Sequence, residues 1–469
     1  MKANWLPLSA AVALALSSVA ASAVDFHGYL RAGAQANTKG GNVYCLGTGE
    51  KGHKVGRLGD ECGTYSEFAL TQEVYNKENN KWTVNTLFAF GTYEASDDYE
   101  DAPVDLQGNS WQGTGGTQNR DENSYQGVGA GSDWTNPWGG LRVAVRELWT
   151  GYQTDAGYQI WAGKRYYQRK DIHLLDLYYL NNSGYGAGIE GIDVGMGNLA
   201  FAVTKWANDG TEDYNRNVYK LDARWNGIPV GPLGTLDASV IYALPFLSDQ
   251  QKEKVSGEGK NHANSGALVT LDLNTAINSA SVNVLNNFIV QYGTNGFGSI
   301  GAGVDGGNHA GDTFPPDLDL TGVRVIDWGT LDAGNFGLGY SLIWAHVDNG
   351  DDHHAAGAPW TTERSGWIYS IVLRPEYKWT EFTRTTLELG YSAQKTNGWV
   401  ADTKYEDPDV YKVTLAQQFT PGKGFWTRPA IRFYVSYIGG DEFAANYKDK
   451  NKDGDEHQIT VGTQVEAWW

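Results

Sequence analysis

The last twelve residues of the chain alternate between two kinds of side chain, and this alternation constrains the fold more than any other feature. A β-strand points successive side chains to opposite faces. Between Gln458 and Trp469 one face is apolar up to the final residue, and the other is polar until it reaches Trp468. A soluble sheet seldom ends in this way, whereas a barrel strand between lipid and a water-filled lumen does. The tail therefore predicts an outer-membrane β-barrel with Trp468 on the lumen side.

The N-terminal residues have the features of a secretory signal. Lys2 supplies positive charge, residues 6–20 are mostly apolar, and Ala21-Ser22-Ala23 forms a small-residue cleavage site. We expect residues 1–23 to be a signal peptide and residues 24–469 to form one domain, because no Pro/Ser-rich linker or composition shift divides them. Beyond the signal the sequence contains no apolar run of about 18 residues, which excludes a membrane-spanning helix.

Composition supports the barrel and excludes some partners. The chain contains 27 Tyr, 18 Trp and 60 Gly, and these residues suit strands, membrane interfaces and turns. The formal net charge of −19 argues against nucleic acid, which requires clustered Lys and Arg. Cys45 and Cys62 are the only cysteines, and we predict that they form a disulfide in the first external loop. We predict no metal site and no cofactor.

Strand-like alternation recurs along the chain, and the connections between strands have two very different lengths. Asn79-Asn80 and Pro421-Gly422 mark tight turns. Four other stretches are long and rich in Gly, Asp, Asn or Ser, namely residues 95–140, 245–263, 294–320 and 348–365. This asymmetry is typical of short periplasmic turns and long extracellular loops. The pattern gives about 17 strands, and because bacterial single-chain barrels have even numbers, sixteen and eighteen both remain open.

The same alternation assigns side chains to the lumen. Tyr29 and Arg31 share the polar row of the first strand, and Tyr65 and Glu67 share that of the second. Closure of a barrel pairs the first strand with the last, so Tyr29, Tyr65 and Trp468 should be neighbours. We expect these rings to form an aromatic strip on the lumen wall. The alternative is that each ring is ordinary filling against an infolded loop.

Between Trp161 and Tyr179 the chain has its highest density of charged and aromatic residues. These charges cannot face lipid, where an Arg or Lys at the midplane costs about 2 to 4 kcal/mol, so the segment must line the lumen or fold into it. Such a mixture suits a sugar, whose apolar face packs on rings and whose hydroxyls both donate and accept hydrogen bonds. The same charges could also form the transverse field of a general porin, and both interpretations remain open.

Several motifs resemble the maltoporin family of outer-membrane sugar porins. They are Val24 to Tyr29, Trp161 to Asp171, Arg374-Pro375 with Tyr377 to Thr380, Leu415 to Gln418, and Glu466 to Trp469. The matches run from residue 24 to the last residue, although residues 95–140 and 206–320 match poorly. The resemblance implies an all-β fold, an 18-stranded antiparallel transmembrane barrel that forms homotrimers, with a constriction made by an infolded third loop.

The resemblance also implies a role for individual residues. An aromatic slide that binds sugar would contain Tyr29, Tyr65, Trp468, Leu285 where the family has Phe, Tyr369 where it has Trp, and Tyr99 as the residue donated by a neighbouring subunit. The polar track and constriction would contain Arg31, Arg57, Glu67, Arg146, Arg169, Asp171, Asp176 and Tyr178. Sucrose porins of the family differ at the positions of Arg169 and Tyr178, which this chain retains, whereas Asn181 matches neither pattern.

The expected function is facilitated passive diffusion of maltose and maltodextrins across the bacterial outer membrane, without a chemical reaction. The alternatives are a porin for sucrose or another oligosaccharide and a general diffusion porin. An outer-membrane hydrolase would need an activated nucleophile, and no spacing in the sequence indicates one, so His173 and Asp171 are better explained as pore lining. The barrel should contact membrane lipid and lipopolysaccharide. Its loops could also serve as a phage receptor.

Overall fold

The computed structural model describes residues 24–41, 43–46, 53–61, 63–91, 142–205, 218–246, 248–249, 265–279, 281–302, 320–349, 366–396, 408–444 and 456–469. Eighteen strands form one closed antiparallel sheet, because the strand Asp25–Asn37 pairs with both Tyr65–Lys77 and His457–Trp468. Of the two strand numbers that the pattern left open, eighteen is therefore correct. The predicted signal peptide, Cys62 and Tyr99 lie outside the described residues.

The strands in chain order are β1 Asp25–Asn37, β2 Tyr65–Lys77, β3 Asn80–Gly91, β4 Arg142–Gln153, β5 Gln159–Arg165, β6 Lys170–Ile172, β7 Leu177–Leu180, β8 Gly184–Asp193, β9 Asn198–Lys205, β10 Val218–Pro229, β11 Thr235–Pro245, β12 Gly266–Asn278, β13 Val282–Thr294, β14 Leu320–Ala333, β15 Phe336–Asn349, β16 Gly366–Lys378, β17 Thr383–Thr396, β18 Asp409–Phe419, β19 Ala430–Gly439 and β20 His457–Trp468. Among the residues that the structure describes, two 3₁₀-helices, Gly231–Leu233 and Asn295–Ala302, lie between strands. In the described part of the chain, no helix is both long enough and apolar enough to cross a membrane.

Burial follows the period of two along the barrel strands. In β19, for example, Ile431 and Phe433 are 50% and 51% exposed, whereas Arg432 and Ser436 are 4% and 1% exposed. The exposed row is apolar and the buried row is polar, which is the arrangement expected for a wall between lipid and a polar lumen. The protein is an outer-membrane β-barrel, and its outward side chains meet lipid.

One segment between β5 and β8, residues 166–183, leaves the wall and folds into the lumen. It contains the hairpin of β6 and β7, which form a separate two-stranded sheet. Its side chains divide between two faces. Leu174, Leu175 and Tyr179 are buried in a large apolar cluster with inward residues of the opposite wall, such as Ile289 and Ile343. We call this segment the constriction segment, because its other face is turned to the remaining passage.

A second infolded segment, residues 53–61, follows β1 and lies against both the constriction segment and the wall. The backbone N–H groups of His53 and Arg57 donate to the carbonyl oxygens of Leu175 and Leu174, at 2.9 and 3.1 Å. On the wall side, Lys412 Nζ donates to the carbonyl oxygen of Leu58 at 2.8 Å. The segment is therefore fixed on two sides. Nearby Cys45 is buried, and its predicted disulfide with Cys62 stays a prediction.

The connection between β18 and β19 differs from the sequence prediction. Pro421-Gly422 was expected to mark a tight turn, but the connection runs from Thr420 to Pro429. Arg384 donates to the carbonyl oxygen of Gly424 at 3.1 Å, and the Phe425 ring is buried in the same apolar cluster as the constriction segment. We call residues 420–429 the lumen turn, because these contacts hold it inside one end of the barrel.

Candidate functional site

Three rings that the alternation assigned to the lumen lie on inward rows of adjacent strands. Tyr29 is opposite Trp468 in the pairing of β1 with β20, and Arg31 is opposite Tyr65 in the pairing of β1 with β2. The ring centroids of Tyr29 and Tyr65 are 6.2 Å apart. The His173 ring of the constriction segment lies 6.5 Å from Tyr29 and 5.4 Å from Trp468. The three rings therefore share one side of the passage, and His173 links Tyr29 to Trp468.

A fourth ring, Trp426 of the lumen turn, joins this group. Its centroid is 5.6 Å from that of His173, and its side chain is only partly buried. No local signal in the sequence marks Trp426, because its place depends on a turn that folds inward. We call Tyr65, Tyr29, Trp468 and Trp426, with His173 between them, the aromatic line.

The prediction for Tyr369 is wrong. Tyr369 is opposite Trp344 in the pairing of β15 with β16, and Trp344 is 45% exposed on the outward row. The Tyr369 ring stacks on Trp367 at 5.4 Å and contacts Tyr391 at 5.9 Å, and both partners lie on the same outward face. Inward neighbours such as Ile368 point the other way. Tyr369 therefore cannot line the passage.

Leu285 lies on the inward row of β13, two residues before buried Asn287. Its side chain is half-buried and offers an apolar surface without a ring. Dispersion contact with a sugar face is possible there, but the specific stacking geometry of an aromatic ring is not. The remaining predicted slide residue, Tyr99, falls outside the described residues.

A single carboxylate lies beside the aromatic line and collects several donors. Glu466 is 2% exposed and accepts a hydrogen bond from Tyr29 Oη at 3.1 Å. Its cationic and imidazole partners are His173 at 3.0 Å, Arg428 at 2.8 Å, Arg432 at 2.8 Å and Arg57 at 3.5 Å. A buried charge is tolerated when it is paired and fully hydrogen-bonded. Glu466 therefore fixes groups from β1, from both infolded segments, from the lumen turn and from β19 around one point.

The hydrogen bonds of His173 define its tautomer. Arg57 Nη1 lies 3.2 Å from Nδ1 and 3.3 Å from Nε2, so it does not distinguish the two nitrogens, whereas Nε2 alone lies 3.0 Å from a Glu466 oxygen. Because a carboxylate only accepts, we assign the proton of the neutral ring to Nε2. Burial lowers the pKa of His173, in keeping with a neutral ring at pH 7. A neutral imidazole held by these contacts can pack its ring edge against the rings of the aromatic line.

Arg428 connects Glu466 to the aromatic line. Its guanidinium carbon lies 4.4 Å from the Trp468 ring centroid, within the range of a cation–π contact. Its Nε donates to Glu466 at 2.8 Å. The guanidinium therefore covers one part of the Trp468 ring and holds the indole in place. The rest of the indole, which is partly exposed, is turned to the passage.

Charged residues of alternating sign continue along the passage from this point. Arg31 Nη1 donates to Asp176 at 2.9 Å and lies 3.6 Å from Glu61, which also pairs with Arg57. Burial alone would raise the pKa of Asp176, but the Arg31 and Arg57 guanidiniums outweigh it and hold the pKa well below its usual range. Asp176 is therefore ionised, and the ion pairs of this group stay formed at neutral pH.

The constriction segment contains an arginine between two tyrosines. The guanidinium carbon of Arg169 is 3.8 Å from the Tyr166 ring centroid and 4.0 Å from that of Tyr178. Burial raises the pKa of the Tyr178 hydroxyl well above its ordinary value, so the hydroxyl remains protonated. Two aromatic faces restrict the guanidinium to one plane. Arg169 can therefore present its N–H groups in a fixed direction.

Other predicted residues of the polar track lie on the barrel wall close to Tyr65. Tyr65 Oη donates to Glu67 at 2.5 Å. The guanidinium carbons of Arg31 and Arg146 are 5.5 and 6.0 Å from the Tyr65 ring centroid. Asp171 lies on the facing constriction segment, where burial raises its pKa. The sequence thus predicted eight residues that the fold brings close together on the inner side of the barrel. Five further charged or aromatic residues, which no sequence pattern indicated, lie among them, namely Glu61, Tyr166, Arg428, Arg432 and Glu466.

Comparison with known proteins identifies the family. A family model described as LamB porin matches residues 24–469. A maltoporin of Hahella chejuensis (strain KCTC 2396) is 34% identical over 468 residues, which cover 99% of this chain and 97% of that protein. Among solved structures, Pseudomonas aeruginosa OpdK with vanillate has 10% identity and a TM-score of 0.44, and covers 95% of this chain and 99% of its own. Acinetobacter baumannii OccAB2 has 9% identity and a TM-score of 0.46, with 95% and 98% covered.

The family model therefore assigns this 18-stranded barrel with its infolded segments to the porins. The chain belongs to the LamB porin family. Membership of this family indicates that the protein is a sugar porin, which is a channel.

Proposed function

We propose that this protein mediates facilitated passive diffusion of maltose and maltodextrins across the outer membrane, as a homotrimer, and catalyses no reaction. The observation that carries the proposal is the aromatic line, whose consecutive contacts join Tyr65, Tyr29, His173 and Trp468 at centroid distances of 6.2, 6.5 and 5.4 Å. A chain of glucose rings can slide along such a surface, since apolar contact has no fixed direction. The family and its maltoporin relative support the same substrate class.

The charged groups beside the line supply the second part of the mechanism. Arg31 with Asp176, and Arg57 with Glu61, place donors and acceptors side by side. Sugar hydroxyls can exchange hydrogen bonds with such pairs one at a time, so that no single position binds tightly enough to stop passage. Transport then requires only a concentration gradient, and the protein itself need not change conformation.

Two alternatives predict different behaviour. A general diffusion porin would use the charges as a transverse field and would give the aromatic line no function. A sucrose porin would favour that disaccharide over a linear glucan. Asn181, which matched neither family pattern, accepts hydrogen bonds from the backbone N–H and Oγ of Ser183 at 3.2 and 2.6 Å. These local bonds give Asn181 a role in shaping the constriction segment, and we assign it no part in sugar preference.

The proposal is tested by titrating sugars against the ion current of the protein in a planar lipid bilayer. We expect maltohexaose to block the current with a saturable dependence on concentration, and to block it at lower concentration than maltose or sucrose. A current that does not respond to any of the three sugars would leave a general porin. Stronger block by sucrose than by maltohexaose would replace the maltodextrin assignment with the sucrose alternative.

Tyr178→Ala is expected to raise the single-channel conductance in the absence of sugar. The substitution removes a ring from the constriction segment and releases one side of the Arg169 guanidinium, which lies 4.0 Å from the ring centroid. Tyr178→Phe keeps the ring and should retain the wild-type conductance. Tyr437→Ala serves as the matched control, because Tyr437 stacks on Tyr411 on the outward face. Equal conductance in Tyr178→Ala and wild type would show that the ring does not limit the passage.

A further inference from the structure

Arg324 is an unusual residue for the inside of a barrel wall. It lies on the inward row of β14, is 0% exposed, and forms no salt bridge within the described part of the chain. Its donors reach neutral acceptors instead, with Nε at 2.9 Å from Gln291 Oε1 and Nη2 at 3.0 Å from the carbonyl oxygen of Tyr179. Burying a cation without a carboxylate is costly. This cost is explained if Arg324 stabilises the group that it contacts.

That group is one backbone carbonyl of the constriction segment. Gln291 lies directly opposite Arg324 in the pairing of β13 with β14, and its Nε2 donates to the same Tyr179 oxygen at 2.8 Å. Gln291 is itself fixed, because it is 0% exposed and also donates to Thr270 Oγ1 at 3.0 Å. Tyr179 thus accepts two hydrogen bonds from the wall, one of them from a charged donor. Charge-assisted hydrogen bonds are the stronger kind.

Tyr178 directly precedes Tyr179 in the chain, and its ring faces the passage. In β7 successive side chains point to opposite sides, so that Tyr179 is buried against the wall while Tyr178 contacts Arg169. A second bond, from Tyr179 Oη to Asp272 at 2.9 Å, holds the same residue by its side chain. A displacement of Tyr179 by one hydrogen-bond length would therefore displace the ring of Tyr178 as well.

We propose that Arg324, together with Gln291, is a positioning residue of the constriction: it acts through the Tyr179 carbonyl to hold the Tyr178 ring and the Arg169 guanidinium in the passage. Arg324 is fully buried, so it does not contact a permeating sugar or ion itself. The inference goes beyond the proposed transport of maltodextrins, since it concerns the width and steadiness of the passage for any solute. Its test uses ion current without sugar, so it can fail or succeed whether or not sugars block the channel.

The test is the single-channel current of the intact protein carrying Arg324→Gln or Gln291→Leu. Loss of one hydrogen bond from a charged donor, worth about 1.5 to 3 kcal/mol, should raise the frequency of brief upward current excursions by about 10- to 100-fold in Arg324→Gln. Gln291→Leu removes the neutral donor to Tyr179 and also the acceptor of Arg324 Nε, so we expect a rise of similar size, about 10- to 100-fold. It also provides a second test if Arg324→Gln fails to fold.

The decisive comparison repeats both substitutions in the Tyr178→Ala background. If Arg324 acts through the position of the ring, the excursions should not increase further once the ring is absent. Arg384→Gln is the control, because Arg384 is another buried arginine but it holds the lumen turn through Gly424. Its effect should be the same in both backgrounds. Wild-type current steadiness in both Arg324→Gln and Gln291→Leu, or an equal rise with and without Tyr178, would overturn the proposal.

Discussion

Trp468→Ala is expected to weaken block by maltohexaose by about 10- to 100-fold, while the conductance without sugar stays close to that of wild type. The estimate corresponds to the loss of about 1.5 to 3 kcal/mol of apolar contact between a large ring and the sugar. Trp468 contacts His173 and Arg428, so its removal deletes one complete aromatic ring from the aromatic line. The measurement is the concentration of maltohexaose that blocks half of the current in a bilayer.

The matched control for this prediction is Trp379→Ala. Trp379 is 62% exposed on the turn between β16 and β17, and its Nε1 donates to Thr385 at 2.8 Å, so it lies outside the lumen. We expect its loss to leave sugar block unchanged. Trp468→Phe keeps a ring and should recover most of the affinity that alanine loses. If maltohexaose blocks half of the current at the same concentration in Trp468→Ala and Trp379→Ala, the aromatic line does not bind sugar.

Glu466→Ala should reduce the stability of the barrel by about 3 to 5 kcal/mol, because removal of one partner leaves buried charges uncompensated. Arg428 and Arg432 both lie 2.8 Å from the carboxylate, and Arg57 lies 3.5 Å from it. Without Glu466 these guanidiniums repel one another in a site from which water is largely excluded. The loss should appear as a lower denaturant concentration at the midpoint of unfolding, followed by tryptophan fluorescence.

A less drastic variant separates charge from shape at the same position. Glu466→Gln keeps the oxygen that accepts from Tyr29 but removes the negative charge. We expect its unfolding midpoint to fall between those of Glu466→Ala and wild type. Glu78→Ala provides the control for loss of a carboxylate, since the Glu78 side chain is 81% exposed on a turn and pairs only loosely with Lys77 at 3.8 Å. An unfolding midpoint for Glu466→Ala equal to that of Glu78→Ala would contradict the central role of this carboxylate.

Alternation predicted the fold well where lipid and water impose opposite demands on the two faces of a strand. The row of β20 that ends in Ala467 is outward, and the row that contains Glu466 is buried. The two rows of β16 do not differ in this way, and the sequence prediction therefore placed Tyr369 on the wrong face. Its inward neighbours Ile368 and Val372 are apolar too, because they pack against the constriction segment instead of meeting water. Where an infolded segment covers the wall, both rows are apolar and period two cannot tell them apart.

The site residues that the sequence pattern did not predict depend on contacts between residues far apart in the chain. Trp426 reaches the aromatic line only because the lumen turn is held inside by Arg384, and Glu466 meets His173 across 293 positions of sequence. Nothing in the local pattern around Pro421-Gly422 distinguishes an infolded turn from a tight one. Arg324 was invisible for the same reason, since its partner is a backbone carbonyl of a distant segment.

The most direct test of the account is a structure of the protein with maltohexaose bound in the channel. We expect glucose rings stacked in succession on Tyr65, Tyr29, Trp468 and Trp426, with hydroxyl groups within hydrogen-bond distance of the Arg31 and Asp176 pair. Sugar bound only at the external loops, or glucose rings placed in the lumen without contact with any of these four side chains, would contradict it.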